Sequence, residues 1–304
     1  MTTLNANICE PMKLGLGAVQ MGIDYGISNK NGKTTKEEVV KILEVAARNN
    51  IRIIDTAAQY GNSEEVLGNS LPKKNNFKVV TKTISIGHED ITLSDVMRLE
   101  ETFFRSIEKL RVSSVFGLLA HHAEDLIAQG GDHFMTKMME LKQRGFVEEI
   151  GVSIYTGKQI DDILNKYSID IIQLPINVLD QRLLNNGYLS KLKAAGVEIH
   201  ARSVFLQGLL LMNPDGLPPY FDKVKMHLKQ YHESIRDKGM TPVQAALRFV
   251  AGLTEVDAVI CGVNNHRQLE ELCAATHSAN PIDFSYYAIY DEPILNPSQW
   301  HRSS

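Results

Sequence analysis

The feature that most constrains the fold is a repeated alternation of short apolar runs and longer segments with helical periodicity. Eight apolar runs follow one another along the chain, at 14–19, 51–55, 77–82, 115–121, 147–153, 169–175, 197–205 and 257–262. Helical segments follow nearly all of them, one opening at Thr34 or Thr35 and others at 63–69, 93–110, 133–144, 157–166, 186–195, 241–251 and 266–276. Strands that lack polar alternation are typical of a parallel sheet covered on both faces. Eight such units in 304 residues predict a closed (β/α)8 TIM barrel of one domain, 1–304.

Two segments lie outside this repeat. Residues 206–239 form a proline-containing insertion with a helical part at about 220–236, and a tail begins at about 278. The tail carries Tyr286, Tyr287, Tyr290 and Trp300, which either roof the active site or pack beneath a helix. No GxGxxG motif joins the first strand to its helix, which argues against an open dinucleotide-binding sheet.

Composition excludes several classes of protein. The net charge of −4 argues against a nucleic-acid or anionic-membrane surface. The three cysteines, Cys9, Cys261 and Cys273, are widely spaced, so neither a disulfide framework nor a metal site is expected. The N-terminal residues contain no basic segment followed by an apolar run, and no stretch approaches the roughly 20 apolar residues of a membrane span. We expect a soluble cytoplasmic protein, while its oligomeric state stays open.

Four titratable residues stand at or just beyond the ends of consecutive predicted strands: Asp55, Tyr60, Lys82 and His121. In a parallel barrel these ends meet at one mouth. A phenol is a poor acid at neutral pH, but an adjacent buried ammonium is expected to lower its pKa, and a carboxylate keeps that ammonium charged. With a histidine to hydrogen-bond a substrate oxygen, the set suits protonation of an alkoxide as a carbonyl receives a hydride.

Each of the four also has a structural interpretation. Asp55 is consistent with a loop cap, Tyr60 with an aromatic residue on the barrel rim, and His121 with a core histidine. His122 competes with His121 for the same role, and strand alternation would place one inward and the other towards the helices. Lys82 is harder to explain structurally, because unpaired lysines are rarely buried.

From Lys13 to Leu272 the chain resembles the aldo-keto reductase superfamily. The motif D-T-A-x-x-Y-G is met by Asp55 and Tyr60, the lysine of a V-V-x-K-T strand end by Lys82, and the histidine after an L-L run by His121. The resemblance implies that Tyr60 donates a proton, tuned by Lys82 and Asp55, and that His121 orients the carbonyl of a small-molecule substrate. It also implies that a reduced nicotinamide supplies the hydride.

The same resemblance implies a set of cofactor contacts. Ser153 and Gln173 would hold the nicotinamide carboxamide, although the family's usual Ser-Asn pair is Ser153-Ile154 here. Arg202 stands where an aromatic residue commonly stacks on the ring, and a guanidinium can also stack on a flat ring; its alternative is a salt bridge with a barrel carboxylate. Further contacts are implied around the first strand and in the loop after strand seven, namely Gly17, Ala18, Val19, Asp55, Ser203, Phe205, Gln207 and Gly208.

The largest departure from the family pattern follows strand eight. Gly262 and Gln268 stand where basic residues would hold the 2′-phosphate of NADPH, and Arg267 is one residue away. Asn264 and Glu271 complete the implied adenosine contacts, and Glu271 would suit a ribose hydroxyl of NADH. The cofactor is therefore expected to be NADPH or NADH. NADPH is slightly favoured, because the family commonly uses it.

Loops select the substrate in a barrel, and the loop at 21–33 is polar and asparagine-rich. It favours a hydroxylated substrate such as a sugar or keto-sugar. Two other functions stay open. One is a cofactor-binding regulatory subunit of aldo-keto-reductase type without turnover. The other is an isomerase or lyase acting on a phosphorylated sugar, for which 262–265 would be the phosphate loop.

Overall fold

The fold is a closed barrel of eight parallel strands, seen in a computed structural model that describes residues 13–87, 90–276 and 283–300. The strands are β1 (Leu14–Gly17), β2 (Ile53–Asp55), β3 (Lys78–Lys82), β4 (Val115–Ala120), β5 (Val147–Ser153), β6 (Ile171–Pro175), β7 (Glu198–Arg202) and β8 (Ala258–Gly262). They pair in sequence order, and β1 closes the barrel on β8 with Leu14 opposite Val259. The predicted TIM barrel is confirmed.

The α-helices connect the strands or lie in the two additional segments. They are α1 (Val19–Gly22), α2 (Lys36–Arg48), α3 (Ser63–Ser70), α4 (Leu93–Leu110), α5 (Glu124–Ile127), α6 (Gly131–Gln143), α7 (Gly157–Lys166), α8 (Arg182–Asn185), α9 (Tyr188–Ala194), α10 (Asp222–Asp237), α11 (Pro242–Ala251), α12 (His266–Ala275) and α13 (Glu292–Leu295). Several begin at capping residues that the sequence displays. Thr35, Thr156 and Thr241 each accept a hydrogen bond from a backbone N–H in the first turn, and Pro242 follows Thr241 at the first helical position.

Two clusters of buried side chains hold the barrel together. The large one fills the layer between strands and helices, with residues such as Leu16, Ile54, Leu118 and Ile172. The small one consists of Val80, Phe116, Leu119 and Ile171, which join β3 and β4 to β6. Because β6 is not adjacent to β3 or β4, these contacts cross the barrel.

The structure corrects some predicted boundaries. Strand seven was expected to reach residue 205 but ends at Arg202, because Ser203, Leu206 and Gln207 have positive φ angles that no strand accommodates. The helix expected at 186–195 corresponds to α9 and begins only at Tyr188, because Gly187 before it has a φ of 75°; the short helix α8 precedes the predicted range. Strand four ends at Ala120, one residue before His121.

The insertion and the described part of the tail pack on each other. Tyr231 of α10 makes edge contacts with Phe284 and Tyr287, and Phe221 makes one with Trp300. These contacts favour the second interpretation, packing beneath a helix, for Tyr287 and Trp300, whereas Tyr286 and Tyr290 are exposed. Residues 277–282, where the tail was predicted to begin, lie outside the described residues.

Candidate active site

A cavity of about 380 Å³ opens at the carboxyl ends of the strands and is called the mouth cavity below. One end is walled by residues that follow β2, β4, β5 and β7, and the other by residues of β8 and α12. Its wall includes Gly17, Val19, Gln20, Tyr25, Ser28, Asn29, Asp55, Tyr60, His121, His122, Ser153, Tyr155, Gln173, Arg202, Ser203, Phe205, Gln207, Gly208, Gly262, Asn264, Gln268 and Glu271. Most of the residues predicted to form the site therefore surround one space.

Asp55 and Lys82 form a buried ion pair beneath this cavity. The Lys82 ammonium donates to both carboxylate oxygens of Asp55, over 2.7 and 2.8 Å, and to the carbonyl of Thr56 over 3.0 Å. Gln173 donates from β6 to Asp55 Oδ1 over 2.7 Å. The two charged residues are 4% and 2% exposed, so the pair and its hydrogen bonds hold the floor of the site in one geometry. Lys82 is not itself part of the cavity wall.

Tyr60 reaches the cavity from the loop after β2. The Lys82 ammonium lies 5.0 Å from the centre of its ring, and the ring meets that of His121 edge-on, with centroids 5.8 Å apart. Gly22 allows this placement, because a Cβ on Gly22 would overlap the carbonyl oxygen of Tyr60.

The pKa of Tyr60 differs from the sequence expectation. Burial raises it well above its ordinary value near 10, and the Asp55 carboxylate raises it further, while Arg202 partly offsets the rise. The predicted lowering of the Tyr60 pKa by Lys82 is thus wrong. The reason is that Asp55 neutralises the charge of Lys82. The ion pair as a whole therefore exerts little positive field on the phenol.

His121 and His122 both line the cavity, so the prediction that one would turn towards the helices is wrong. Alternation does not apply to them because β4 ends at Ala120. Burial lowers the pKa of His121 to about 3, and the charges of Lys82, His122 and Arg202 contribute. His121 is therefore neutral near pH 7. Its Nδ1 is buried without a partner among the described residues.

Arg202, the last residue of β7, lies on the wall and is held by neutral groups. It donates to the carbonyl of Ile154 over 3.0 Å and to Ser203 Oγ over 3.2 Å, and its guanidinium stacks 4.2 Å from the centre of the Tyr155 ring. Within the described ranges, no Asp or Glu contacts it. The alternative of a barrel salt bridge is therefore not observed.

Several wall residues were not predicted. Tyr25 is the clearest: it lines the cavity, and its pKa is raised to about 12 by burial and by Tyr60. Tyr155 is another, two residues beyond Ser153, whereas the intervening Ile154 is fully buried. The sequence signal for Tyr155 was its place just after a strand end, the same position that identified His121.

The other residues predicted to contact the cofactor are not all part of the cavity wall. Gly17 and Val19 lie on the wall, but Ala18 does not; it is fully buried, and its N–H donates to the Asp55 carbonyl over 2.8 Å. The end of the cavity opposite Tyr60 is lined by Gly262, Asn264, Gln268 and Glu271. Arg267 is exposed and is not part of the wall.

No cluster of three or more His, Cys, Asp or Glu side chains among the described residues has a metal-binding arrangement. No helix in the described part of the chain is both long and apolar enough to cross a membrane.

Comparison with known proteins places the chain in a family. The model of the Aldo/keto reductase family matches residues 13–291. The Uncharacterized oxidoreductase YqkF of Bacillus subtilis is 22% identical over 311 residues, covering 96% of this chain and 95% of that protein.

Two solved structures share the fold. An aldo-keto reductase from Bacillus halodurans, in its holo form, has a TM-score of 0.71 at 20% identity and covers 92% of this chain and 94% of its own. A glycerol dehydrogenase from Gluconobacter oxydans has a TM-score of 0.69 at 21% identity, covering 88% and 87%. The mouth cavity, the order of its strand-end residues and the family match agree, and the chain belongs to the aldo/keto reductase family, a family of carbonyl-reducing oxidoreductases.

Proposed function

We propose that this protein reduces an aldehyde or ketone to an alcohol with NADH or NADPH, and that Tyr60 donates the proton. The observation that carries the proposal is the arrangement of Tyr60 and His121, which meet edge-on at one end of the mouth cavity above the buried Asp55–Lys82 pair. A carbonyl oxygen placed between the phenol and the imidazole would have two hydrogen-bond donors, which is what an oxygen gaining negative charge requires.

The cavity fits a nicotinamide dinucleotide by the chemistry of its wall. The buried Gln20 Oε1 has no partner among the described residues, and the absence of a side chain at Gly262 leaves room beside it. Ser153 offers a hydroxyl at the Tyr60 end, and Asn264 an amide at the other. Since the hydride donor must stand near Tyr60, the adenosine part would extend towards β8 and α12. Gly17, Val19, Ser203, Phe205, Gln207 and Gly208 would line the path between these ends.

A bound reduced nicotinamide supplies a hydride. Tyr60 transfers its phenolic proton to the carbonyl oxygen, so that the carbonyl π bond is replaced by one C–H and one O–H bond. The raised pKa of Tyr60 keeps it protonated until an alkoxide, a much stronger base, develops beside it. Neutral His121 orients the oxygen, and Lys82 and Asp55 position the phenol. The phenolate regains its proton from water that enters the cavity.

The far end of the cavity favours NADH more than the sequence suggested. Gln268 uses its side-chain oxygen to accept a hydrogen bond from the Asn264 N–H over 2.7 Å, and the carboxylate of Glu271 stands on the same wall. Arg267 is exposed and does not line the cavity. A 2′-phosphate would therefore meet a carboxylate and no lysine or arginine there, so we propose that NADH is accepted at least as well as NADPH.

The substrate is proposed to be a small hydroxylated carbonyl compound, such as a sugar or keto-sugar. Tyr25 and Ser28 give the cavity hydroxyl groups on the side of the polar 21–33 loop, and His122 adds an imidazole to the wall. The glycerol dehydrogenase of similar fold is named for a small hydroxylated compound, which agrees with this choice.

The proposal is tested by titrating the protein with NADH and NADPH, followed by assays with hydroxylated aldehydes and ketones. We expect saturable binding and consumption of the cofactor with at least one of these carbonyls. Binding without turnover on any carbonyl would instead indicate a cofactor-binding regulatory subunit. If neither NADH nor NADPH bound, the proposal would be contradicted.

A further inference from the structure

The Tyr60 end of the mouth cavity carries an excess positive charge that proton transfer does not use. Among the described wall residues, Arg202 is the one lysine or arginine. The charge of Asp55 is matched by Lys82, which donates to both of its oxygens, and Glu271 stands at the opposite end. The field of Arg202 reaches both Tyr60 and His121. The reaction end therefore has a local charge of about +1.

The guanidinium is fixed without being neutralised. Its two hydrogen bonds run to neutral oxygens, those of Ile154 and Ser203, and its flat face is covered by Tyr155. A guanidinium remains charged at all relevant pH values. The fold thus holds a permanent, immobile cation in the wall of the site, at the end where a hydride must be delivered.

We propose that Arg202 makes the site bind the reduced nicotinamide more tightly than the oxidised form. This inference rests on the proposed function. Hydride must reach a carbonyl held by Tyr60 and His121, so the nicotinamide ring has to lie at the end walled by Ser153, Gln173 and Arg202. The reduced ring is neutral and the oxidised ring carries a positive charge, so only the oxidised ring is repelled by the guanidinium.

The two negative charges of the pyrophosphate are the same in both forms. Their attraction to Arg202 therefore cancels when the two affinities are compared. In catalysis, weaker binding of the oxidised form speeds its release after each reduction. That release is commonly a slow step. Arg202 thus adapts this site to carbonyl reduction.

Calorimetric titration of the whole protein with NADH and NAD⁺ tests the inference. We expect a ratio of dissociation constants, NAD⁺ over NADH, of at least about tenfold, which in free energy is about 1.4 kcal/mol. Arg202→Gln keeps a donor for the Ile154 carbonyl but removes the charge, and it should bring the ratio to within about threefold. Arg202→Lys should keep most of the discrimination, and Arg267→Gln, at an exposed arginine, should leave it unchanged.

A wild-type ratio below about threefold would overturn the inference without recourse to any variant. So would a large wild-type ratio that persists in Arg202→Gln. If the wild type bound NADPH but not NADH, the same ratio would be measured with NADP⁺ and NADPH. If it bound none of these four nucleotides, the proposed function itself would fail, which is a separate result.

Discussion

Lys82 donates hydrogen bonds to both carboxylate oxygens of Asp55 from the neighbouring strand, and its third N–H is taken by the Thr56 carbonyl. Every donor of the ammonium is thus satisfied inside the barrel. A buried pair of this kind adds little net charge beneath Tyr60, which explains why burial dominates the pKa of that phenol. The Lys82 ammonium lies 5.0 Å from the centre of the Tyr60 ring, and we propose that the pair acts on Tyr60 mainly by fixing its position.

Removing Lys82 should destabilise the protein strongly. Lys82→Met leaves the Asp55 carboxylate buried without its counter-ion, which typically costs about 3–5 kcal/mol in free energy of unfolding. Denaturant unfolding measures this loss. Lys191→Met is the control, because Lys191 pairs with Asp161 at the surface, where both side chains are at least 40% exposed; about 1 kcal/mol or less is expected. Equal losses in the two variants would contradict the structural role of the buried pair.

Adding a methyl group at Gly22 should displace the loop that carries Tyr60. The new Cβ would overlap the Tyr60 carbonyl oxygen. Gly22→Ala should therefore destabilise the protein by about 2 kcal/mol and lower kcat/KM by about tenfold or more. Gly216→Ala is the matched control, since no atom lies within 4 Å of its Cβ position. Wild-type activity in Gly22→Ala would show that the Tyr60 loop tolerates displacement.

Stability should depend on pH through His121. Its pKa is about 3 in the folded protein and about 6.5 in the unfolded chain. Between these values the unfolded state binds more protons, so the free energy of unfolding falls as the pH drops, by up to about 2 kcal/mol between pH 7 and pH 5. Urea unfolding at several pH values should show a shallower fall in His121→Gln. Identical slopes in the two proteins would mean that His121 is not buried as a neutral group.

A single substitution should improve NADPH binding. Gln268→Arg places a guanidinium on the wall beside Glu271, where a 2′-phosphate would lie, and should tighten NADPH binding about tenfold with little change for NADH. Arg267→Ala should change neither affinity, because Arg267 faces solvent. Fluorescence titration measures both dissociation constants. Weaker NADPH binding in Arg267→Ala would place that arginine in the site after all.

The barrel and most of the site were predictable because both depend on patterns that are local in sequence. Apolar strands fix the parallel sheet, and the sheet brings its carboxyl ends together, so Asp55, Tyr60 and His121 could be assigned to one mouth before any contact was known. Gln173 could be placed in the site only through the family resemblance, and its hydrogen bond to Asp55, which joins β6 to β2 across the barrel, was not predicted.

What the sequence did not predict depends on the exact end of each strand and on burial. One residue of difference at the end of β4 decides whether His122 enters the cavity, and positive φ angles after Arg202 end β7 early. Tyr155 enters the cavity two residues beyond Ser153, a placement that no motif in the sequence marks. The pKa of Tyr60 depends on how far Lys82 is neutralised, which requires the distances themselves.

The most direct test of the account compares Tyr60→Phe with the wild type, using the carbonyl compound that the wild type reduces fastest. Loss of the phenolic proton should lower kcat by about 10²–10⁴-fold, while the dissociation constant for NADH stays within about threefold of the wild-type value. Tyr25→Phe, which removes a second phenol from the same wall, should cost much less. A Tyr60→Phe variant that reduces the carbonyl at the wild-type rate would contradict the assignment of Tyr60 as the proton donor.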